Sequence, residues 1–198
     1  MKSNAAFGAA VAILSLSIAG SVGCSSTVEP IAAPDRSDSI RASAFFPLHV
    51  GDEWRYGTDP TASIVVSVVG TTELLGHTMY RTSFRTGERC DSIPDRFYWR
   101  DSSGVVYASP SDTSLGTAYL NPLAQVGDRV GAGDRVVQQR GASLTIPMGS
   151  FNDCIIVGFN DRFMSTETFA PGIGLISYRG TYTRYTLTSA RIDSKQYP

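Results

Sequence analysis

The chain has 198 residues, of which 17 are basic and 18 are acidic, so its formal net charge is −1. This balance excludes the global electrostatic footprint expected of a nucleic-acid-binding protein or of a protein held on an anionic membrane surface by charge. The length suits one domain once a short N-terminal segment is set aside.

The first element is a basic and apolar leader. Lys2 precedes an apolar run from Ala5 to Ile18, and small residues follow it. This order is typical of a secretory signal peptide. Because a membrane-spanning helix needs ~20 predominantly apolar residues, the run is too short to be one. We therefore predict that residues 1–23 are a signal peptide that is removed.

The leader ends in the motif Ser21-Val22-Gly23-Cys24. This motif resembles the lipobox of bacterial lipoproteins, in which a small residue precedes a cysteine that is acylated and becomes the mature N-terminus. The resemblance implies lipidation of Cys24 and membrane attachment through acyl chains, each buried methylene contributing ~0.8 kcal/mol. The residue after the cysteine is Ser25 and not aspartate, and in this the sequence resembles lipoproteins that are passed on to the outer membrane of Gram-negative bacteria. An ordinary signal peptide with an incidental cysteine is the alternative.

A polar segment follows the cysteine. Residues 24–43 are rich in Ser, Pro, Ala and charge and have no sustained apolar period. Such a composition cannot bury enough surface to offset the entropy of ordering, so we predict a flexible tether. Residues 44–198 then form one domain.

Strand patterns recur along this domain, and helix patterns are nearly absent. Segments rich in β-branched and aromatic residues are separated by Gly, Pro, Asp or Asn. The predicted strands are Ser63–Val69, Thr78–Arg85, Arg96–Asp101, Val105–Ser109, Asp134–Gln139, Ser143–Ile146, Cys154–Phe159, Phe163–Phe169, Leu175–Arg179 and Tyr182–Ile192. Short strands at this spacing predict an all-β fold, or a β-dominated α+β fold, built as a curved antiparallel sheet or open half-barrel in a single domain.

Side-chain alternation predicts one packed face and one solvent-facing face. It is clearest in Thr78–Arg85 and Arg96–Arg100, where arginines alternate with aromatic residues. Ser63–Val69 carries apolar residues on both faces, so we predict that this strand is covered on both sides. Ser103-Gly104 and Pro171-Gly172 predict tight turns.

One segment has a weak internal counterpart. Residues 47–52 read PLHVGD, and residues 122–128 read PLAQVGD. Because Gly-Asp is a generic turn pair, the sequence favours a common loop-to-strand connection used twice. Two related half-sheets are the alternative.

Two cysteines lie within the domain. Cys90 is in a polar stretch and Cys154 is in an apolar predicted strand. In an oxidising compartment such a pair forms a disulfide more often than a metal site. A Cys90–Cys154 bridge would stabilise the fold by ~4 kcal/mol. The alternative is that Cys154 is a small buried residue and Cys90 is unpaired.

Three motifs resemble those of uncharacterised exported bacterial lipoproteins. Phe46–Tyr56 matches the pattern FPL-x-x-G-x-x-W-x-Y, Ile146–Cys154 resembles VP-x-G-x-F-x-x-C, and Ala170–Ile176 resembles APG-x-GL. The resemblance implies a curved antiparallel sheet related in fold to the half-barrels of lipoprotein carriers. It carries over no catalytic residue. The rings of Trp54 and Tyr56 are expected to share one sheet face as core anchors.

The sequence offers little catalytic chemistry. His49 and His77 have no partner at metal-ligand spacing, and we expect His77 to be a solvated loop residue. No nucleophile elbow, P-loop or dinucleotide motif occurs. We therefore predict no catalytic residue, no metal and no cofactor.

Glu167 is the one acid with a distinctive setting. On a strand it shares a face with Phe163, Ser165 and Phe169. It is therefore either an acid inside an apolar concavity or a residue near an open rim, and the sequence favours the rim.

The leading functional hypothesis is a non-enzymatic lipoprotein of the cell envelope that binds a hydrophobic small molecule or a partner on its concave face. A structural or assembly component that binds another envelope protein is the first alternative, and a hydrolase is the second. The sequence predicts no nucleic-acid partner. It does not identify the ligand-binding residues.

Overall fold

A computed structural model describes residues 45–58, 63–86, 93–131, 134–159 and 165–198. These residues form β-strands and contain no helix. The strands are β1 (Glu53–Thr58), β2 (Ser63–Leu74), β3 (His77–Thr86), β4 (Ile93–Arg100), β5 (Val106–Ser109), β6 (Thr117–Leu120), β7 (Arg135–Ile146), β8 (Gly149–Phe159), β9 (Thr166–Ala170), β10 (Gly174–Arg179), β11 (Arg184–Ile192) and β12 (Lys195–Tyr197).

All twelve strands belong to one antiparallel sheet in the order β6-β5-β4-β3-β2-β1-β11-β10-β9-β8-β7, with β12 paired to β11. Sequence neighbours pair as antiparallel hairpins, except for β6 and β7, which lie at opposite ends of the sheet. The pairing of β1 with β11 joins the first and last parts of the chain. The sheet is open and curved, which confirms the predicted all-β fold and curved antiparallel sheet.

Curvature brings the two end strands of the sheet close to each other. The Arg135 guanidinium on β7 donates to the backbone carbonyl of Tyr119 on β6. Apolar side chains from β4, β5 and β6 pack with those from β7, β8 and β9 in one buried cluster. The concave face therefore holds the core, and the convex face is largely solvent-exposed.

The two similar segments, PLHVGD and PLAQVGD, form the same hydrogen-bonded turn. In the first, the Gly51 amide donates to the Val68 carbonyl (2.9 Å), and Val68 donates back to Asp52 (2.9 Å). In the second, Gly127 donates to Val137 (2.9 Å), and Val137 donates to Asp128 (3.0 Å). Each aspartate carboxylate also accepts the amide three residues earlier.

The equivalence continues beyond the turn into the strand register. The β2–β3 ladder shifts between Val68 and Gly70, and the β7–β8 ladder shifts between Val137 and Gln139, at the equivalent place. Counting residues from these shifts along the paired strands shows which positions of β2, β3 and β4 are structurally equivalent to positions of β7, β8 and β9. Val66 is equivalent to Arg135, Phe84 to Phe159, and Arg96 to Glu167. The sheet therefore contains two half-sheets, β1–β6 and β7–β11, that are related through β2–β4 and β7–β9, with β12 added beside β11. The similarity extends beyond a turn used twice.

Several strand predictions need correction. Asp134–Gln139 and Ser143–Ile146 form the single strand β7, because Gly141 (φ +64°) takes up an irregularity within the ladder instead of ending it. The short strands β6 and β12 lacked a pattern long enough to predict. The turns at Ser103-Gly104 and Pro171-Gly172 are confirmed, with φ of +88° at Gly104 and +76° at Gly172.

The prediction that Ser63–Val69 is covered on both faces holds only in part. Ile64, Val66 and Val68 contact the core, but Val69 is 41% exposed on the other face. Of the outward residues, Val65 is half-buried and Ser67 is buried, so solvent exposure on that face is confined to Ser63 and Val69 at the ends of the segment.

Cys154 is buried on β8, with its Sγ 3.8 Å from the carbonyl oxygen of Asn152, and it forms no disulfide within the described residues. Cys90 lies outside the described residues, so the Cys90–Cys154 disulfide stays a prediction. Cys24, the signal peptide and the tether also lie outside them.

Candidate functional site

The concave face contains an apolar cavity of about 330 Å³, here called the first cavity. Its wall is mostly aromatic and aliphatic, with three polar side chains. The lining residues are Phe46, Leu48, Trp54, Tyr56, Ile64, Val66, Thr82, Phe84, Arg96, Tyr98, Tyr119, Glu167, Gly174, Leu175 and Tyr185. A concave apolar wall with a few polar groups is the usual composition of a small-molecule site.

Two rings from β1 are held in place across the cavity. The Trp54 indole Nε1 donates to the carbonyl oxygen of Ile173 (2.6 Å), and the Tyr56 hydroxyl donates to that of Leu175 (2.9 Å). The ring polar groups are thereby satisfied, which leaves apolar ring surface for the cavity and the core. Both residues are buried, as predicted for core anchors.

Phe46, which precedes β1, closes part of the same wall. Its ring lies 5.1 Å from that of Tyr98, 5.7 Å from that of Tyr119 and 6.4 Å from that of Phe169. The FPL motif therefore packs on the concave face between strands from both half-sheets.

Glu167 and Arg135 form a buried ion pair beside the cavity. Glu167 is 7% exposed and Arg135 is 6% exposed, and the Arg135 Nη2 donates to the Glu167 Oε2. The Tyr119 hydroxyl donates to the other carboxylate oxygen (3.2 Å), and the Arg135 guanidinium lies 4.3 Å from the centroid of the Tyr119 ring. The Glu167 carboxylate is therefore neutralised and hydrogen-bonded within the protein.

Burial dominates the titration of this cluster. It raises the pKa of Glu167, and the neighbouring Arg135 guanidinium only partly opposes this rise. Burial also raises the pKa of Tyr98 to about 12. Both shifts follow from the cost of charge in an environment from which water is largely excluded.

A second cavity of about 600 Å³ adjoins the first and shares three of its lining residues: Arg96, Tyr119 and Glu167. Its remaining wall is more polar. The residues that line only the second cavity are Pro94, Asp95, Ala108, Ser109, Pro110, Thr117, Ala118, Arg135 and Phe159.

The structure places Glu167 in the concavity, so the favoured interpretation of a rim residue is wrong. Ser165, on the same predicted face, is also buried. His77 is not a solvated loop residue: it begins β3, and its ring lies 4.0 Å from that of Trp99. Phe163 lies outside the described residues.

The described residues contain no group of three His, Cys, Asp or Glu side chains able to hold a metal ion. None of the described segments forms a helix long and apolar enough to cross a membrane.

Sequence reasoning missed Arg96, Tyr119 and Arg135 as members of the site. Arg135 and Glu167 are 32 positions apart, and they meet only through the pairing of β7 with β8 and of β8 with β9. The repeated PLHVGD and PLAQVGD segments indicate a relation between the two halves, but Val66 follows Asp52 by 14 residues and Arg135 follows Asp128 by 7, so only the strand register pairs Val66 with Arg135.

The sequence matches no protein-family model and no curated protein. Two solved structures are similar in fold. One, from Parabacteroides distasonis ATCC 8503 and provisionally described as a lipoprotein, has a TM-score of 0.52 and 14% identity over 74% of this chain and 97% of that chain. The other, from Bacteroides fragilis NCTC 9343 and provisionally described as an exported protein with a YmcC-like fold, has a TM-score of 0.49 and 13% identity over 74% of this chain and 98% of that chain. At this identity, the similarity to the Parabacteroides structure shows that the two chains share a fold.

Proposed function

We propose that this protein is an extracytoplasmic lipoprotein, anchored through acylated Cys24, that binds an apolar ligand in the first cavity without catalysing a reaction. The observation that carries the binding proposal is the largely apolar wall of that cavity, in which the Trp54 and Tyr56 rings are fixed by their own hydrogen bonds. A wall organised before binding lowers the ordering cost of association.

The location rests on different support. The lipobox-like motif before Cys24 implies acylation, and the similar Parabacteroides chain is provisionally described as a lipoprotein. We place the protein in the outer membrane if its source is Gram-negative, because Ser25 follows the cysteine in place of aspartate.

Binding is proposed over catalysis because the acids near the cavities already have partners. Glu167 is paired with Arg135, and Asp95, which lines the second cavity, lies 3.6 Å from the Arg81 Nε. Two arginine-paired carboxylates are poorly suited to act as the free acid and base of a hydrolase.

Native mass spectrometry of the full chain, expressed in a bacterial envelope and released from neutral detergent, tests the binding proposal. We expect a non-covalent lipid adduct that Val66→Trp abolishes, because the larger ring fills the cavity. Val65→Trp, one position along on the convex face, is the matched control and should retain the adduct. A wild-type protein without an adduct, or an equal adduct on Val66→Trp, would contradict the proposal.

The anchor is tested separately with Cys24→Ala. We expect the variant to accumulate as an uncleaved precursor without acyl mass, because the acylated sulfur is missing. The wild-type chain should begin at a lipid-modified Cys24. Normal processing of Cys24→Ala would refute the lipobox interpretation.

A further inference from the structure

Arg96 differs from every other residue that lines the first cavity because it alone is exposed to solvent. It also lines the second cavity. Because Arg96 lines both cavities and is itself exposed, we place it at their opening to solvent.

The charge of Arg96 has no carboxylate partner within 4.0 Å among the described residues. The two acids near it are engaged elsewhere, Glu167 by Arg135 and Asp95 by Arg81. Its field nevertheless reaches the cavity: burial raises the pKa of Tyr98, and the Arg96 guanidinium opposes part of that rise.

The half-sheet repeat shows what is missing beside Arg96. At the equivalent position of the second half-sheet, the charge of Glu167 is balanced by Arg135 from β7. The residue of β2 equivalent to Arg135 is Val66, which is apolar and lines the first cavity. Among its described residues, the first half-sheet therefore has a charge at this position without a carboxylate within 4.0 Å.

We infer that the ligand is an amphiphile with an anionic headgroup, a carboxylate or a phosphate, that binds Arg96 while its apolar body occupies the first cavity. This inference rests on the proposed function and specifies the ligand class. The planar guanidinium can donate two parallel hydrogen bonds to either headgroup. The exposed position of Arg96 lets the headgroup stay near water while the chain enters over Val66 and Phe84.

The test measures binding to the full chain in neutral maltoside micelles. The probes are dodecanoate and dodecanol, each brominated at the far end of the chain, and the readout is quenching of Trp54, which lines the cavity. Trp54→Phe should abolish the saturable quenching, because Trp99, the other tryptophan, does not line either cavity. Competition with dodecyl phosphate and with inorganic phosphate compares the headgroups.

We expect the wild-type chain to bind dodecanoate at least about tenfold more tightly than dodecanol, since hydrogen bonds to charged groups are the stronger class. Arg96→Gln should remove this preference for dodecanoate without weakening the binding of dodecanol, and Arg96→Lys should retain part of the preference. Arg179→Gln, an exposed arginine outside both cavities, is the matched control and should behave as wild type. Dodecyl phosphate should displace dodecanoate, and inorganic phosphate should not.

Each contrary result has a distinct meaning. Equal wild-type binding of dodecanoate and dodecanol would overturn the headgroup inference and leave the proposed function standing. Failure of both dodecanoate and dodecanol to bind the wild-type protein would overturn both proposals. If Arg96→Gln weakens both probes equally, Arg96 acts through the fold and the inference is wrong. If inorganic phosphate displaces dodecanoate and dodecyl phosphate does not, the site binds a free anion, and the inference of an amphiphilic ligand is wrong.

Discussion

The two half-sheets use the same strand register for different purposes. In the second, Arg135 and Glu167 form a buried ion pair on the concave face. In the first, the equivalent positions hold Val66, which lines an apolar cavity, and Arg96, which is exposed at its opening. The comparison indicates that the second half-sheet is internally neutralised, whereas the first leaves a cavity and a charge available to a ligand.

The largest effect is expected from breaking the ion pair of the second half-sheet. Arg135→Val introduces the residue type that the first half-sheet has at the equivalent position, Val66. It leaves Glu167 as an uncompensated buried charge. We expect a loss of about 3–5 kcal/mol in the free energy of unfolding, measured by urea denaturation. Arg96→Val, its counterpart in the first half-sheet, should change that free energy by less than about 0.5 kcal/mol.

A second substitution sharpens this result. Adding Glu167→Leu to Arg135→Val removes the stranded carboxylate and should restore at least half of the lost stability, because an apolar pair can replace a buried ion pair. No recovery would mean that the second half-sheet depends on these side chains for more than charge balance.

Alkaline pH should distinguish the half-sheets through Tyr98, whose equivalent is Phe169. Burial raises the pKa of Tyr98 from 10.0 to about 12, so its neutral form is favoured by folding. This stability is fully present below pH 10 and is lost as the pH rises through 12, by about 3 kcal/mol. Burial also raises the pKa values of Tyr56, Tyr119 and Tyr185, so Tyr98→Phe should reduce the slope of unfolding free energy against pH over that range without abolishing it. An unchanged slope would contradict the assignment.

A smaller contrast is expected between the two turn aspartates. Asp52 is buried and accepts amide hydrogen bonds from His49 (2.9 Å) and from Asp193 (2.8 Å), whereas Asp128 is exposed and accepts one from Gln125 (2.7 Å). Asp52→Ala should therefore cost about 2–3 kcal/mol and Asp128→Ala about 1 kcal/mol, read from thermal or urea unfolding. Equal losses would show that burial does not separate the two turns.

Much of the fold could be predicted from local pattern. Alternation along Thr78–Arg85 and the turn residues Ser103-Gly104 and Pro171-Gly172 depend only on near neighbours, so they are legible in sequence. The β1–β11 pairing that joins the two half-sheets could not be predicted from local pattern, because it links residues more than a hundred positions apart. The short strands β6 and β12 carry no period long enough to recognise.

The site was harder to predict for the same reason. Glu167 could be singled out, but its burial depends on Arg135 and Tyr119, which reach it only after the sheet curves. Arg96 looks like any solvent-facing arginine of an alternating strand. Its position at a cavity opening becomes visible only when the register aligns it with Glu167.

Photo-crosslinking most directly tests the claim that the first half-sheet supplies the ligand site. The full chain would be irradiated with dodecanoate carrying a diazirine in mid-chain, and the labelled peptides would be mapped by mass spectrometry. We predict saturable labelling of peptides that contain Tyr56, Val66 and Phe84, suppressed by unlabelled dodecanoate. Labelling centred on Arg135 and Phe159, or spread without saturation over the convex face, would contradict the account.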